Sequence, residues 1–430
     1  MKNRVWTLFA LFAIIGIGGY FSYRSAARLW AHRAMQRADS AARRQDWKTA
    51  RTELSKFLEV FPKDDAARLA FAEAIFKDAT LNSDRSVSAA VEQLRLISKS
   101  SLHWPAACIQ ESRMSLFARQ QPHHAESLLQ ELLKAESKNS EGNYVLWKLF
   151  DLTGRSHLAA PNFRLVLEAT PVAQRPFRLR EWYLSQFYPA TANPELDQLM
   201  GFYDPSEKRS AITELRRLEA FRDREPKSAT NHAVVARWFS LEGDPKLSLQ
   251  LLQQALDVAD APMQDPFFVA TLIQVMFDLG EFDNALKYFG AWPGERSGYE
   301  YSRLEAILAD EVERDFERAI RNYRQVISAW PGPADWRIQY RLARCLAKAG
   351  KENAAESTRQ RAKQVELLME DSVHEPLRRL LAAPDQLEIC GRMTQFYEQL
   401  GLEFEASQWR EQQHRLSRSD DRAAPAKSVK

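Results

Sequence analysis

Two histidines stand side by side at His123 and His124, and a third opens the triplet His374-Glu375-Pro376. A zinc hydrolase needs histidines one helical turn apart with a glutamate between them. Adjacent side chains leave a helix in different directions, and the triplet does not complete HExxH. Cys108, Cys345 and Cys390 are too widely spaced for a CxxC redox pair or a paired metal set, and read as small buried helix residues. No GxSxG elbow and no Walker loop occurs, and GIGGY at 16–20 follows no strand and completes no GxGxxG. Carboxylates crowd ADEVERDFERAIR (309–321), where Glu317 and Arg321 have the i,i+4 spacing of a solvated helix face. No catalytic constellation emerges, so neither an enzymatic activity nor a metal site nor a cofactor is expected.

The residues that would have to position any site belong to an all-α chain. Of 430 residues 45% are hydrophobic, enough for a sizeable core, and 27% are charged, which excludes a polytopic membrane protein and general disorder. Only 15 glycines are present, too few for Gly-rich phosphate loops and many tight β-turns. Ala, Leu, Arg, Glu and Gln dominate, all strong helix formers. A net charge of +3 gives the whole molecule no electrostatic claim on nucleic acid, so no nucleic-acid partner is expected. Residues 1–60 nevertheless hold eleven Lys and Arg against four Asp and Glu.

Val5 to Tyr23 carries no charge, and as a helix its 19 residues would reach about 28 Å, close to a hydrocarbon core. Lys2 and Arg4 flank one end, Arg24 and Arg28 the other, with Trp6, Tyr20 and Tyr23 at interfacial positions. These features predict one N-terminal transmembrane helix, touching lipid through residues 5–23, in a single-pass inner-membrane protein. Arg24, Arg28, Arg33 and Arg37 argue for the cytoplasmic side, but the short basic tail, which stays inside, favours placing the repeats in the periplasm. A cleaved signal peptide is the competing reading, with only a weak site at Ser25-Ala26-Ala27.

Further along, a spacing repeats. In FDLGEFDNALKYF (277–289) the small residue is Ala285; Ala319 follows after 34 residues, Ala355 after another 36, and Ser248 precedes it by 37. Ala125 and Ala159 are again 34 apart, and Ala50 and Ala406 occupy similar settings. Four positions after these anchors stand Leu54, Leu129, Phe163, Leu252, Phe289 and Tyr323. Five positions before stand Gly154, Gly243, Gly280, Gly350 and Gly401, and twelve after stand Pro62, Pro171 and Pro331. A glycine ending one helix, a small residue letting two backbones approach, and a large side chain one turn later describe a helical hairpin that must stack on its neighbours.

This pattern resembles the tetratricopeptide repeat over roughly residues 31–415. The resemblance implies a solenoid of antiparallel helical hairpins, a TPR-like superhelix. The expected organisation is a membrane anchor over 1–30, a first sub-array over 31–187, a loop or insert over 188–207, a second sub-array over 208–415 and a disordered tail over 416–430. In the family the first helix of each repeat lines a concave groove. Carried onto this chain, its groove positions are Arg237, Gln274, Arg337, Tyr340 and Arg344, with Arg341 beside them. Such a face could receive an acidic peptide or a C-terminal carboxylate; its arginines could equally pair with acids of neighbouring helices. The family's Lys and Asn carboxylate clamp is not reproduced. The implied function is a membrane-anchored scaffold binding proteins or peptides, in envelope assembly or export. The alternative is a carbohydrate- or polymer-binding accessory module, using Trp292, Trp330 and Trp336 at turns, while Trp147, Trp238 and Trp409 serve the core.

Overall fold

A computed structural model describes residues 26–78, 83–187 and 211–423, and every regular element among them is helical. The chain divides between Arg119 and Gln120 into two compact units. The first contains α1 (26–43), α2 (Trp47–Val60), α3 (Asp65–Lys77), α4 (Ser83–Arg95) and α5 (Trp104–Arg113). The second begins with α6 (Pro122–Ala135), α7 (Ser140–Leu152), α8 (Ser156–Ala169) and α9 (Arg175–Phe187). It continues with α10 (Ala211–Arg224), α11 (Ala229–Leu241), α12 (Pro245–Val258), α13 (Pro266–Asp278) and α14 (Phe282–Gly290). Next come α15 (Tyr299–Ile307), α16 (Phe316–Ile327), α17 (Trp336–Lys348) and α18 (Glu352–Leu368). The unit ends with α19 (Asp371–Leu380), α20 (Leu387–Leu400) and α21 (Glu403–Ala423). Residues 416–423 of the expected disordered tail are therefore helical, and 424–430 lie outside the described residues, as does the expected insert at 188–207.

The location expected from residues 5–23 is corrected. Among the described residues no helix is long and apolar enough to cross a membrane. The stretch 5–23 itself lies outside the described residues.

Local chemistry sets the helix boundaries. The side chains of Asp46, Asp64, Asn139, Ser228, Asp244, Asp265, Asp315 and Asp335 each accept a hydrogen bond from an N–H of the helix they precede. Each such cap contributes about 1 kcal/mol by satisfying an otherwise orphan donor. The inter-helix turns repeat one backbone shape. At Gly280 φ is 77°, and the next N–H, of Glu281, returns to the carbonyl of Met276 at 2.8 Å. This bond closes the last turn of α13. The anchors Ala50, Ala125, Ala159, Ser248, Ala285, Ala319, Ala355 and Ala406 are all fully buried, as close backbone approach requires.

Two first-helix segments, α5 and α15, end in a single π-turn, Met114–Ala118 and Leu308–Val312. The second matters below, because it re-aims the carboxylates of Asp310 and Glu311.

Within the second unit the hairpins α7/α8, α11/α12, α13/α14, α15/α16, α17/α18 and α20/α21 pack as pairs. The segment α8–α9 does something the repeat pattern does not announce. It lies against residues far ahead in the chain: Arg155 over the Phe267 ring, His157 stacked on Tyr299, Trp182 on Trp330, and Phe187 on Trp330, His374 and Phe396. Tyr183 shares a 2.7 Å hydrogen bond with His374 Nδ1, and Arg175 reaches Glu411 at 3.0 Å. These aromatic contacts are each worth about 1 kcal/mol beyond the apolar area they bury.

Candidate functional site

The first-helix face of the second unit carries all five residues predicted for the groove, and they fall into two groups. Arg237 of α11 and Gln274 of α13 belong to the first, centred on Glu300 of α15. Arg237 Nη1 donates to Glu300 Oε1 at 2.6 Å, and Arg303 Nη2 donates to Oε2 at 2.9 Å. Arg303 Nη1 also donates to Gln274 Oε1 at 2.5 Å, and Gln274 Nε2 to Asp278 at 2.7 Å. The chain's own α8 approaches this group, with His157 Nδ1 3.9 Å from Glu300. Glu300 is buried. Burial alone would raise its pKa, but the guanidinium groups of Arg237 and Arg303 outweigh that and hold the carboxyl well below the usual carboxylate range. Burial pulls His157 down to about 4; Glu300 opposes the shift and Arg237, Arg155 and Arg303 add to it.

The second group sits on α17. Arg344 Nη2 contacts both Asp310 and Glu311, the latter at 2.6 Å, and Arg341 Nη1 donates to Glu311 at 2.9 Å. Tyr340 donates its hydroxyl to Glu366 at 2.9 Å. The Arg337 guanidinium lies 4.4 Å from the centre of the Trp336 ring, whose edge meets Tyr340. Asp310 is fully buried, whereas the side chains of Arg341 and Arg344 remain 39% and 43% exposed.

Sequence reasoning missed the acids that complete both groups. Asp310 and Glu311 were expected on a solvated face, but the π-turn Leu308–Val312 turns Asp310 into the protein, where it meets Arg344 and the Tyr323 hydroxyl. Glu317 pairs with Lys351 of the next hairpin at 2.7 Å rather than with Arg321. The signal that could have found Glu300 and Arg303 is their i,i+3 spacing on a first helix. Trp292 and Trp330, expected at partly exposed turns, are both buried; Trp330 packs on Trp182 and Phe187. The three cysteines are buried, with the thiols of Cys345 and Cys390 pushed up by burial to about 12 and about 11.

A family model of the tetratricopeptide repeat matches residues 304–364, from the end of α15 through α16 and α17 into α18. That stretch carries a tetratricopeptide repeat. Solved structures similar to this chain include Pseudomonas aeruginosa PilF, at 15% identity over 53% of this chain and 92% of that one, with a TM-score of 0.25. The P58(IPK) TPR domain is 16% identical over 92% of this chain and 99% of that one, with a TM-score of 0.23. A human IFIT1 dimer with PPP-AAAA is 15% identical over 82% and 91%, with a TM-score of 0.30. Neither activity nor ligand is carried across from them. No curated protein matches the chain.

Proposed function

We propose that this protein is a non-catalytic interaction scaffold that holds an acidic segment of a partner protein against the arginines of α17. One observation carries the reading. Arg341 and Arg344 are fixed along one edge by Asp310 and Glu311, yet both guanidinium groups stay substantially exposed. A guanidinium has five N–H donors in a rigid fork; Arg341 Nη1 and Arg344 Nη2 face the internal acids, and Arg341 also meets the Tyr323 hydroxyl. The remaining donors are pre-oriented, which lowers the ordering cost of gripping a carboxylate. Exposed Arg337, on the same helix one turn earlier, extends the basic strip. Tetratricopeptide-repeat folds typically mediate contacts between proteins, which favours a peptide over a small-molecule ligand. Envelope assembly and export drop out of the proposal, because both rested on the location corrected above. The glycan alternative has no support in Trp292 or Trp330, which are buried, and Arg337 covers Trp336.

The test is fluorescence anisotropy with a labelled Asp- and Glu-rich decapeptide at two salt concentrations. Arg337→Ala combined with Arg341→Ala should weaken binding at least tenfold and flatten its salt dependence. Equal affinity of the double variant, or no binding by the native chain at low salt, would sink the proposal.

A further inference from the structure

A second feature of the same unit has the opposite charge. Where α7, α8, α9, α10, α19 and the 330–335 segment converge, they leave a cavity of 510 Å³. Four carboxylates, Asp151, Glu214, Asp335 and Asp371, line it against one guanidinium, Arg378, and the rings of Phe187 and Trp330 form apolar wall. Arg378 is engaged locally, reaching Asp371 at 3.5 Å, Glu375 at 3.6 Å and the Phe187 carbonyl at 3.4 Å. The lining therefore sets the carboxylates of Asp151, Asp335 and Asp371 beside aromatic faces.

Asp151 is the residue that makes this a built site. It is buried at the end of α7, and its Oδ1 accepts a 2.8 Å hydrogen bond from Gln186 Nε2. Gln186 is itself held, because its Oε1 accepts from Trp330 Nε1 at 2.6 Å. This relay fixes the carboxylate from two elements distant in sequence. Asp151 Oδ2, by contrast, makes no hydrogen bond of good geometry, although Ser185 and Trp147 stand beside the carboxyl. A buried carboxylate oxygen without a partner is costly, and a bound cation would offset that cost. Burial raises the Asp151 carboxyl to about 6, against the pull of Lys148, so it is ionised at neutral pH.

We infer that this cavity binds the ammonium or guanidinium end of an organic cation, with Asp151 as its counter-ion and the Trp330 and Phe187 rings as its walls. A flat or alkyl-bearing cation suits both parts of the lining: the charge faces carboxylates and the carbon skeleton lies on aromatic surface. A compact hydrated metal ion would gain nothing from the rings, and no metal-ligand cluster occurs among the described residues. The same group could arrive as a free amine or as a Lys or Arg side chain of a partner. This inference is independent of the α17 arginines, whose ligand carries the opposite charge.

Calorimetric titration of the full chain at pH 7.5 tests it, using 1,5-diaminopentane for the free amine and N-acetyl-lysine and N-acetyl-arginine methylamides for side chains. At least one probe should bind saturably with one-to-one stoichiometry, and the tighter class identifies the source. Asp151→Asn keeps the acceptor for Gln186 and removes the charge; it should weaken binding at least tenfold. It should leave the acidic decapeptide unaffected, just as Arg337→Ala with Arg341→Ala should leave the amines unaffected. Should Asp151→Asn fail to fold, Asp371→Asn serves instead, since that side chain is 97% exposed; a loss of about threefold is expected. Absence of binding by all three probes, or unchanged affinity in both carboxylate variants, would overturn the inference.

Discussion

Glu300 and Glu311 are each gripped by two arginines on the first-helix face of one solenoid unit, yet the two clusters have opposite exposures. Around Glu300 the acid is buried and the chain's own α8 brings His157 alongside. Around Glu311 the acid is partly exposed and both arginines reach solvent. The same repeat register thus produces an internal support in one place and an open basic strip in the other. What separates them is occupancy by α8–α9, a tertiary event rather than a local one.

The sharpest way to break this comparison is to delete each acid. Glu300→Ala strands Arg237 and Arg303 in a buried site, and should cost about 3–5 kcal/mol in urea-induced unfolding. Glu311→Ala leaves Arg341 and Arg344 hydrated, and should cost less than about 1 kcal/mol. Similar costs for the two variants would show that the clusters do not differ as described.

Acid should act on the first cluster and its neighbours before the second. His157 and His374 are each depressed by burial to about 4, so the folded chain keeps them neutral where the unfolded chain, near 6.5, takes up a proton. Stability therefore falls as pH drops from about 6.5 to about 4, by up to roughly 3 kcal/mol per histidine. Asp151 runs the other way: raised from 3.8 to about 6, it favours the folded state as pH falls through that window, and offsets about one histidine. Depressed Glu300 adds its own loss only below about pH 4.5. Unfolding free energies from urea titrations should decline by roughly 3 kcal/mol in total between pH 7 and 4.5, and His157→Gln should remove much of that slope. A flat profile in the native chain would contradict the buried, neutral state of both histidines.

These contrasts mark what the sequence could disclose. The anchors from Ala50 to Ala406 and the glycines five residues before them are local features with a fixed period, and the structure buries the first and bends the chain at the second. The small residue is legible because close helix approach excludes anything larger. What covers the first-helix face is not legible. Nothing in a 34-residue period says that the rings of Trp182 and Phe187 meet Trp330 and Phe396. Hydrophobic periodicity shows that a helix has an apolar face, but not what covers it. The π-turn at Leu308–Val312 is equally hidden, because the anchors on either side of it, Ala285 and Ala319, keep the 34-residue spacing. It inverted the reading of Asp310 from solvated to buried.

The smallest effect probes the turn that follows this π-segment. Gln45, Gln120 and Arg314 stand five residues before Ala50, Ala125 and Ala319, the place glycine takes in other repeats, and they too have positive φ, 60°, 58° and 58°. The backbone shape is thus kept where the favoured residue is missing. A non-glycine residue there costs about 1–2 kcal/mol, while glycine costs about 0.5–1 kcal/mol in lost chain entropy. Arg314→Gly should therefore stabilise the chain by about 0.5–1 kcal/mol, and Gly280→Ala should destabilise it by about 1 kcal/mol. Chemical denaturation measures both. Because Arg314 lies beyond the π-turn that aims Asp310 and Glu311, the stabilised variant should keep its affinity for the acidic decapeptide. A loss of stability in Arg314→Gly would mean that the turn tolerates arginine without strain.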